Sequence, residues 1–157
     1  MRNALIATLH PDRGSAWHGG PTPLMALRGV TAAAARWVPA RGRHSIWELA
    51  LHIAYWDYAV RRLLEPDAPK FSRSPANWPA VPARADARAW AADRRLLARE
   101  HELLVRAVRR FDQARWNRRL PDSRRWTYGE MIVGIVVHDA YHTGQIQMLK
   151  RLWRARR

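Results

Sequence analysis

The sequence predicts an all-α protein, an up-and-down four-helix bundle formed by a single domain over residues 1–157. Several stretches carry apolar residues at the three- and four-residue spacing of an amphipathic helix, two of them begin at a capping box, and no stretch alternates as a strand does. A chain of 157 residues is long enough to bury a core of its own. It contains no cysteine, which excludes disulfides, thiolate metal ligands and a cysteine nucleophile.

The N-terminal third contains two helix-forming stretches, residues 2–9 and residues 22–37. The chain between them, from Pro11 to Pro23, contains prolines and glycines of the kind that interrupt a helix. We therefore expect two helices here, the second of which contributes to the bundle.

The first long helix is predicted from Ser45 to about Leu64. Ser45 and Glu48 form a capping box, in which each side chain accepts a hydrogen bond from a free backbone N–H of the first turn. Pro66 ends the helix. Its apolar residues recur on one face, at Ile46, Leu49, Ile53, Trp56, Val60 and Leu63.

Two more long helices are predicted over residues 86–111 and 127–153. Thr127 and Glu130 repeat the capping box at the start of the last one. Residues 65–85 contain five prolines, so we expect a long connection that crosses the bundle. All these helices need one shared core, which is the reason for predicting a bundle.

The composition is strongly basic, with 28 Lys and Arg against 13 Asp and Glu and a net charge of +15. Eight arginines lie between Arg106 and Arg125. This charge makes a nucleic-acid- or anion-binding bundle without catalysis an alternative to an enzyme. No known DNA- or RNA-reading motif accompanies the charge, and we therefore expect no nucleic-acid partner.

The sequence offers no segment for insertion into a membrane. Its longest strongly apolar run extends from Met131 to Val137, whereas a membrane-spanning helix needs about 20 residues. The N-terminal apolar stretch is too short for a secretory signal. We expect a soluble, cytoplasmic protein.

Polar residues on the apolar face of the last helix indicate a candidate functional site. On a wheel of about 100° per residue, His138 and His142 each fall within about 20° of Met131, inside the apolar stripe. They are four residues apart, so their rings lie on one face and can converge on one metal ion. Gln145 extends the polar seam by one turn. His52 lies on the flank of the apolar face of the first long helix.

In an up-and-down bundle the first and third long helices run parallel, and a modest stagger brings His52 level with His138 and His142. Burying imidazoles without partners would cost several kcal/mol, and a metal removes that cost. The spacing alone leaves other interpretations open, because a lone core histidine usually has a backbone or carboxylate partner. His101 also falls on a core face and is a rival third ligand. The other histidines are expected in loops or at helix starts and are not taken as ligands: His10, His18 and His44.

Three segments carry a resemblance to a known family. Residues 44–56 read HSIWELALHIAYW, residues 138–146 read HDAYHTGQI, and residues 17–21 read WHGGP. Over nearly the whole chain, the sequence resembles the DinB-like (YfiT-type) superfamily. The resemblance implies a four-helix bundle in which one histidine of the second helix and two of the fourth bind a divalent metal ion. Those positions correspond to His52, His138 and His142, and His101 is not among them.

The resemblance implies an activity only in outline. Some members are metal-dependent transferases that use a low-molecular-weight thiol, and others resemble hydrolases. We expect a metal-dependent transferase acting on small electrophiles with a thiol cosubstrate, with hydrolysis at the same site as the alternative. The metal ion is zinc, nickel or iron, all of which accept imidazole ligands. The family also implies a homodimer.

The sequence offers several supporting residues for such a site. Because the chain has no cysteine, a thiolate would arrive with the cosubstrate, and the basic surface would attract an anionic one. Gln145 or Glu48 is expected to support the ligands. Asp57 and Asp139 fall about 60–70° away from the ligand faces, so we expect them at the rim of the site or paired with arginines. No general base is assigned.

Overall fold

The computed structural model describes residues 1–11, 19–121 and 125–156. All the regular secondary structure in these ranges is helical, which confirms the predicted fold class. Among these residues, no helix has both the length and the apolar character needed to cross a membrane. The described residues contain six α-helices, namely α1 (Arg2–Leu9), α2 (Pro23–Ala26), α3 (Ala32–Arg36), α4 (Ile46–Leu64), α5 (Ala87–Arg110) and α6 (Tyr128–Ala155).

The three long helices begin where the sequence predicts them. The Ser45 hydroxyl accepts a hydrogen bond from the Glu48 N–H, and a Glu48 carboxylate oxygen accepts one from the Ser45 N–H at 2.7 Å. Thr127 and Glu130 form the same reciprocal pair at the start of α6. Asp86 caps α5 by accepting from the Ala89 N–H. Both predicted capping boxes are confirmed.

The prediction of a single helix over residues 22–37 is wrong. Two short helices, α2 and α3, occupy this stretch, and each has its own threonine cap, Thr22 and Thr31. Between them Gly29 takes a φ of +71°, a conformation that a helix cannot continue through and that glycine adopts at low cost. No long helix forms in the described part of this region.

The up-and-down order is also wrong, because α4 and α5 run in the same direction. The Trp47 indole donates to Asp93 near the start of both helices, and Asp57 lies 2.9 Å from His101 further along both. The connection between them, residues 65–86, is long enough to lead the chain back to the end at which α4 began. A short loop would have forced the two helices to be antiparallel.

The last helix, α6, runs opposite to α4 and α5. Tyr128 at its start packs against Phe111 just past the end of α5, while Asp139, further along α6, lies 3.6 Å from His101, which precedes Phe111 in α5. The two histidine-bearing helices are therefore antiparallel rather than parallel as expected. The short α1 packs against α5 and α6 and is antiparallel to α5, since Arg2 bonds the Phe111 carbonyl.

The core consists of two apolar clusters separated by a polar layer. On α4 one cluster ends at Ala54 and the other begins at Val60. Buried polar and charged residues of α4, α5 and α6 occupy the interval: Asp57, Arg61, Glu100, His101, Asp139 and His142. Buried polar groups need partners. This layer therefore places titratable side chains in the interior of the protein.

Candidate metal centre

Three histidines from α4 and α6 meet at one point. The Nε2 atoms of His52 and His138 are 3.1 Å apart, and the His142 ring centroid lies 4.7 Å from that of His52 and 4.4 Å from that of His138. His52 and His142 are buried, and the His138 side chain is 23% exposed. One nitrogen from each ring lies within 4.8 Å of the others, so this group could hold a metal ion.

Each histidine has an oxygen atom facing its Nδ1. His52 Nδ1 donates to the Asn77 carbonyl at 2.7 Å, and His142 Nδ1 donates to Gln145 Oε1 at 2.6 Å. His138 Nδ1 lies 3.4 Å from Asp139 Oδ1. A hydrogen bond at Nδ1 fixes the tautomer in which Nε2 carries a free lone pair. The three free nitrogens are therefore those that metal coordination requires.

The environment also favours neutral imidazoles. Burial, together with the neighbouring His142 and His52, lowers the pKa of His138 to about 3. Burial likewise lowers the pKa of His52 and His142. Metal binding requires deprotonated ligands, and these rings need not lose a proton near neutral pH.

The connection between α4 and α5, residues 65–86 and here called the crossing segment, forms one wall of the centre. Asn77, in a left-handed conformation with φ +68°, presents its carbonyl to His52 and its Oδ1 to the Trp56 indole N–H. Trp78 is stacked between His52 and His44, with ring centroids 3.9 and 3.7 Å away. Sequence reasoning missed both residues. The available signal was an Asn-Trp pair inside a proline-rich stretch, since Asn tolerates positive φ.

The remaining expected supporting residues divide into two groups. Gln145 contacts His142 as expected and also donates to the Tyr141 hydroxyl. Glu48 bonds Ser45 and lies 3.9 Å from His44, so it serves the helix cap. His10 is exposed at the end of α1. His18, the start of the 17–21 motif and Arg124 lie outside the described residues.

Asp57 and Asp139 do not lie at a rim, and within the described part of the chain neither pairs with an arginine. Their side chains are 0% and 3% exposed, and both contact His101. The expectation failed because the buried face of α6 is centred near Asp139, about 80° from Met131, and not at Met131. His101 is the rival ligand that the resemblance set aside. It belongs to this second group and not to the three-histidine centre.

The charge state of the second group is set by its members. Burial alone would lower the pKa of His101, but the Asp57 carboxylate beside it raises that pKa overall. Burial and the neighbouring Asp57 both raise the pKa of Asp139 well above its usual value. The His101 Nε2–H donates to the Leu9 carbonyl at 3.0 Å, which connects the group to α1.

The comparisons with known proteins identify a family but no individual relative. Comparisons with curated proteins and with solved structures give no match. Among protein families, the DinB superfamily matches residues 23–146, a range that includes all three histidines of the centre and the Asn77–Trp78 wall. This range covers more than half of the 157 residues, and the chain therefore belongs to the DinB superfamily.

Proposed function

We propose that His52, His138 and His142 bind one divalent metal ion through their Nε2 atoms, and that the protein is a metal-dependent enzyme. One observation carries the proposal. The Nε2 atoms of His52 and His138 face each other across 3.1 Å while each Nδ1 has an oxygen partner, so the tautomers protonated at Nδ1 direct two Nε2 lone pairs at one point. Two facing lone pairs repel each other, whereas a cation placed between them is attracted by both and can be coordinated by both nitrogens. Zinc, nickel and iron(II) all suit such a donor set.

The donor set favours a catalytic centre over a structural one. Three neutral histidines leave the charge of the ion uncompensated, and three protein ligands leave a coordination position open. An ion held there lowers the pKa of a water or thiol that reaches it, and so supplies a nucleophile near neutral pH. The residues around the centre then hold the rings in place: Asn77 and Gln145 through hydrogen bonds, and Trp78 through stacking.

The proposed reaction is transfer of a low-molecular-weight thiol to a small electrophile. A cavity of about 680 Å³ extends along α4, a volume suited to a small molecule. It is lined by the rings of Tyr55, Tyr58 and Phe71 and by the cations Arg62 and Lys70, and its described lining includes no Asp or Glu. This composition favours an anionic cosubstrate with a partly apolar body.

None of the three histidines is among the described residues that line the cavity, but two lining residues are next in sequence to residues that contact the histidines. Its lining includes Tyr55 and Ala76, the sequence neighbours of Trp56 and Asn77. The Trp56 ring lies 6.0 Å from that of His138, and Asn77 bonds His52. A cosubstrate held here would have to extend past Trp56 and Asn77 to bring its reactive end to the histidines. The four helices α1, α4, α5 and α6 correspond, in our proposal, to the four-helix bundle of the family.

Metal content is the first test. Elemental analysis of untagged protein is expected to give one equivalent of zinc, nickel or iron in the wild type and none in the triple variant His52→Ala, His138→Ala, His142→Ala. His44→Ala is the matched control, because His44 stacks on the other side of Trp78 and does not face the centre. A metal-free wild type after reconstitution with each of the three ions would refute the proposal.

Activity is the second test. Metal-loaded protein is assayed with several thiols and a chromogenic electrophile, and thiol-dependent turnover is expected to disappear in His52→Ala. Lys70→Ala is expected to raise KM for an anionic thiol about tenfold without changing its metal content. Turnover without any thiol, lost in the same His52 variant, would instead support hydrolysis. The homodimer and the cytoplasmic location stay predictions.

A further inference from the structure

A second polar group lies in the core beside the three-histidine centre. Asp57 of α4, His101 of α5 and Asp139 of α6, here called the Asp-His-Asp cluster, are each at most 2% exposed. His101 Nδ1 lies 2.9 Å from Asp57 Oδ2 and 3.6 Å from Asp139 Oδ2, while its Nε2–H bonds the Leu9 carbonyl. The cluster therefore joins α1, α4, α5 and α6 at the level of the centre.

One carboxylate belongs to both groups. Asp139 directs Oδ2 towards His101 and Oδ1 towards His138 Nδ1, at 3.4 Å. The other two histidines of the centre take their Nδ1 partners from elsewhere, the Asn77 backbone carbonyl and the half-buried side-chain amide of Gln145. His138 is thus the ring whose orientation depends on the packed interior of the protein.

We propose that Asp139 and His101 are positioning residues for the centre, with His101 holding Asp139 and Asp139 holding the ring of His138. Neither residue directs an atom at the point where the three Nε2 nitrogens meet. A carboxylate that accepts from the far nitrogen of a histidine ligand fixes which nitrogen is free and where the ring points. This inference rests on the proposed function, since it assumes that His138 binds metal.

The arrangement explains why a buried carboxylate remains opposite His138. A carboxylate in the core is costly unless it is hydrogen-bonded or paired. In the described residues around it, the cationic Arg61 is already paired with Glu100 at 2.8 Å. His101 lies within ion-pair distance of Asp139 Oδ2, at 3.6 Å, an oxygen that accepts no hydrogen bond among the described residues, and hydrogen bonds to Leu9 and Asp57 fix the orientation of His101 itself. Removing His101 therefore frees Asp139 to turn away from His138.

The experiment measures cobalt(II) binding by the metal-free protein and its variants Asp139→Asn and His101→Gln. We expect the dissociation constant to rise about 10- to 100-fold in Asp139→Asn and several-fold in His101→Gln, in the range found when such partners of metal ligands are changed. The visible absorption bands of bound cobalt are expected to shift in both. Glu100→Gln is the matched control, because Glu100 is buried, is the sequence neighbour of His101 and, among the described residues, pairs with Arg61 rather than with the cluster.

The control separates positioning from stability. All three substitutions are expected to lower the melting temperature, but Glu100→Gln is expected to leave the cobalt affinity and spectrum unchanged. If His101→Gln and Asp139→Asn behave like the control, the cluster is only structural and the inference fails. It also fails if the wild type binds two ions and His101→Gln removes one. A wild type that binds none refutes the proposed metal site itself.

Discussion

The metal-free protein is expected to lose stability below pH 6.5 because of His138. In the unfolded chain this imidazole takes up a proton below its ordinary pKa of about 6.5, whereas burial holds the folded pKa at about 3. A folded-state pKa below the unfolded value means that protons favour the unfolded chain. The loss begins as the pH falls through 6.5, grows down to pH 3 and is absent above 6.5.

The magnitude follows from the difference between the pH and the ordinary pKa. A pH of 5 is 1.5 units below the ordinary pKa of about 6.5, so protonation of this imidazole in the unfolded chain lowers the unfolding free energy by about 2 kcal/mol. His52 and His142 act in the same direction, since burial lowers both of their pKa values. His101 has the opposite sign: its raised pKa stabilises the fold below 6.5, and this contribution is lost as the pH rises through the folded pKa.

A comparison with His138→Gln isolates this single residue, because the contributions of all other titrating groups are shared. Urea denaturation in the presence of a chelator, at pH 7 and pH 5, gives the unfolding free energy of each protein. The wild type is expected to lose about 2 kcal/mol more than the variant between these two values. An equal loss in both proteins would show that His138 is solvated and titrates normally, which would refute the burial argument.

Three further predictions concern the helices and the centre. Gly129→Ala is expected to destabilise the fold by about 1–3 kcal/mol, because the added carbon would overlap the Trp116 indole. As a control, Gly134→Ala should raise the melting temperature, because its added carbon meets nothing within 4 Å and alanine favours the helix. Zinc at about 100 times its dissociation constant should add about 2.7 kcal/mol to the unfolding free energy, and this gain should be absent in His142→Ala. Thr127→Ala should cost about 1 kcal/mol in thermal unfolding, and no change would mean that the capping box does not stabilise α6.

The elements with strong local signals could be predicted from the sequence. The capping boxes at Ser45 and Thr127 and the apolar spacing behind them determine where α4 and α6 begin, because each depends on residues within one or two turns. The meeting of His52, His138 and His142 was predictable from the H-x-x-x-H spacing together with the family resemblance. Gln145 followed from its place one turn beyond His142.

The direction of the helices and the location of the carboxylates could not be predicted in this way. The crossing segment determines that α4 and α5 are parallel, and its path depends on contacts such as the Asn77 carbonyl with His52, which no local pattern specifies. A wheel centred on the largest apolar residues placed Asp57 and Asp139 off the core. Small and polar buried neighbours such as Ala50 and Thr143 move the centre of the buried face towards the carboxylates.

The three histidines meet although α4 and α6 are antiparallel, because convergence depends on face and level and not on chain direction. The level of the α6 histidines relative to His52 depends on the residues that pack around α6, the longer of the two helices. At 28 residues α6 is longer than α4 at 19, so one end of α6 extends past it. There Lys150 donates to the Ala26 carbonyl and Trp153 packs against Trp37. The short helices α2 and α3, which form instead of the predicted long helix, therefore pack against the part of α6 that extends past α4. These contacts fix the position of α6 along its axis, and with it the level of His138 and His142 relative to His52.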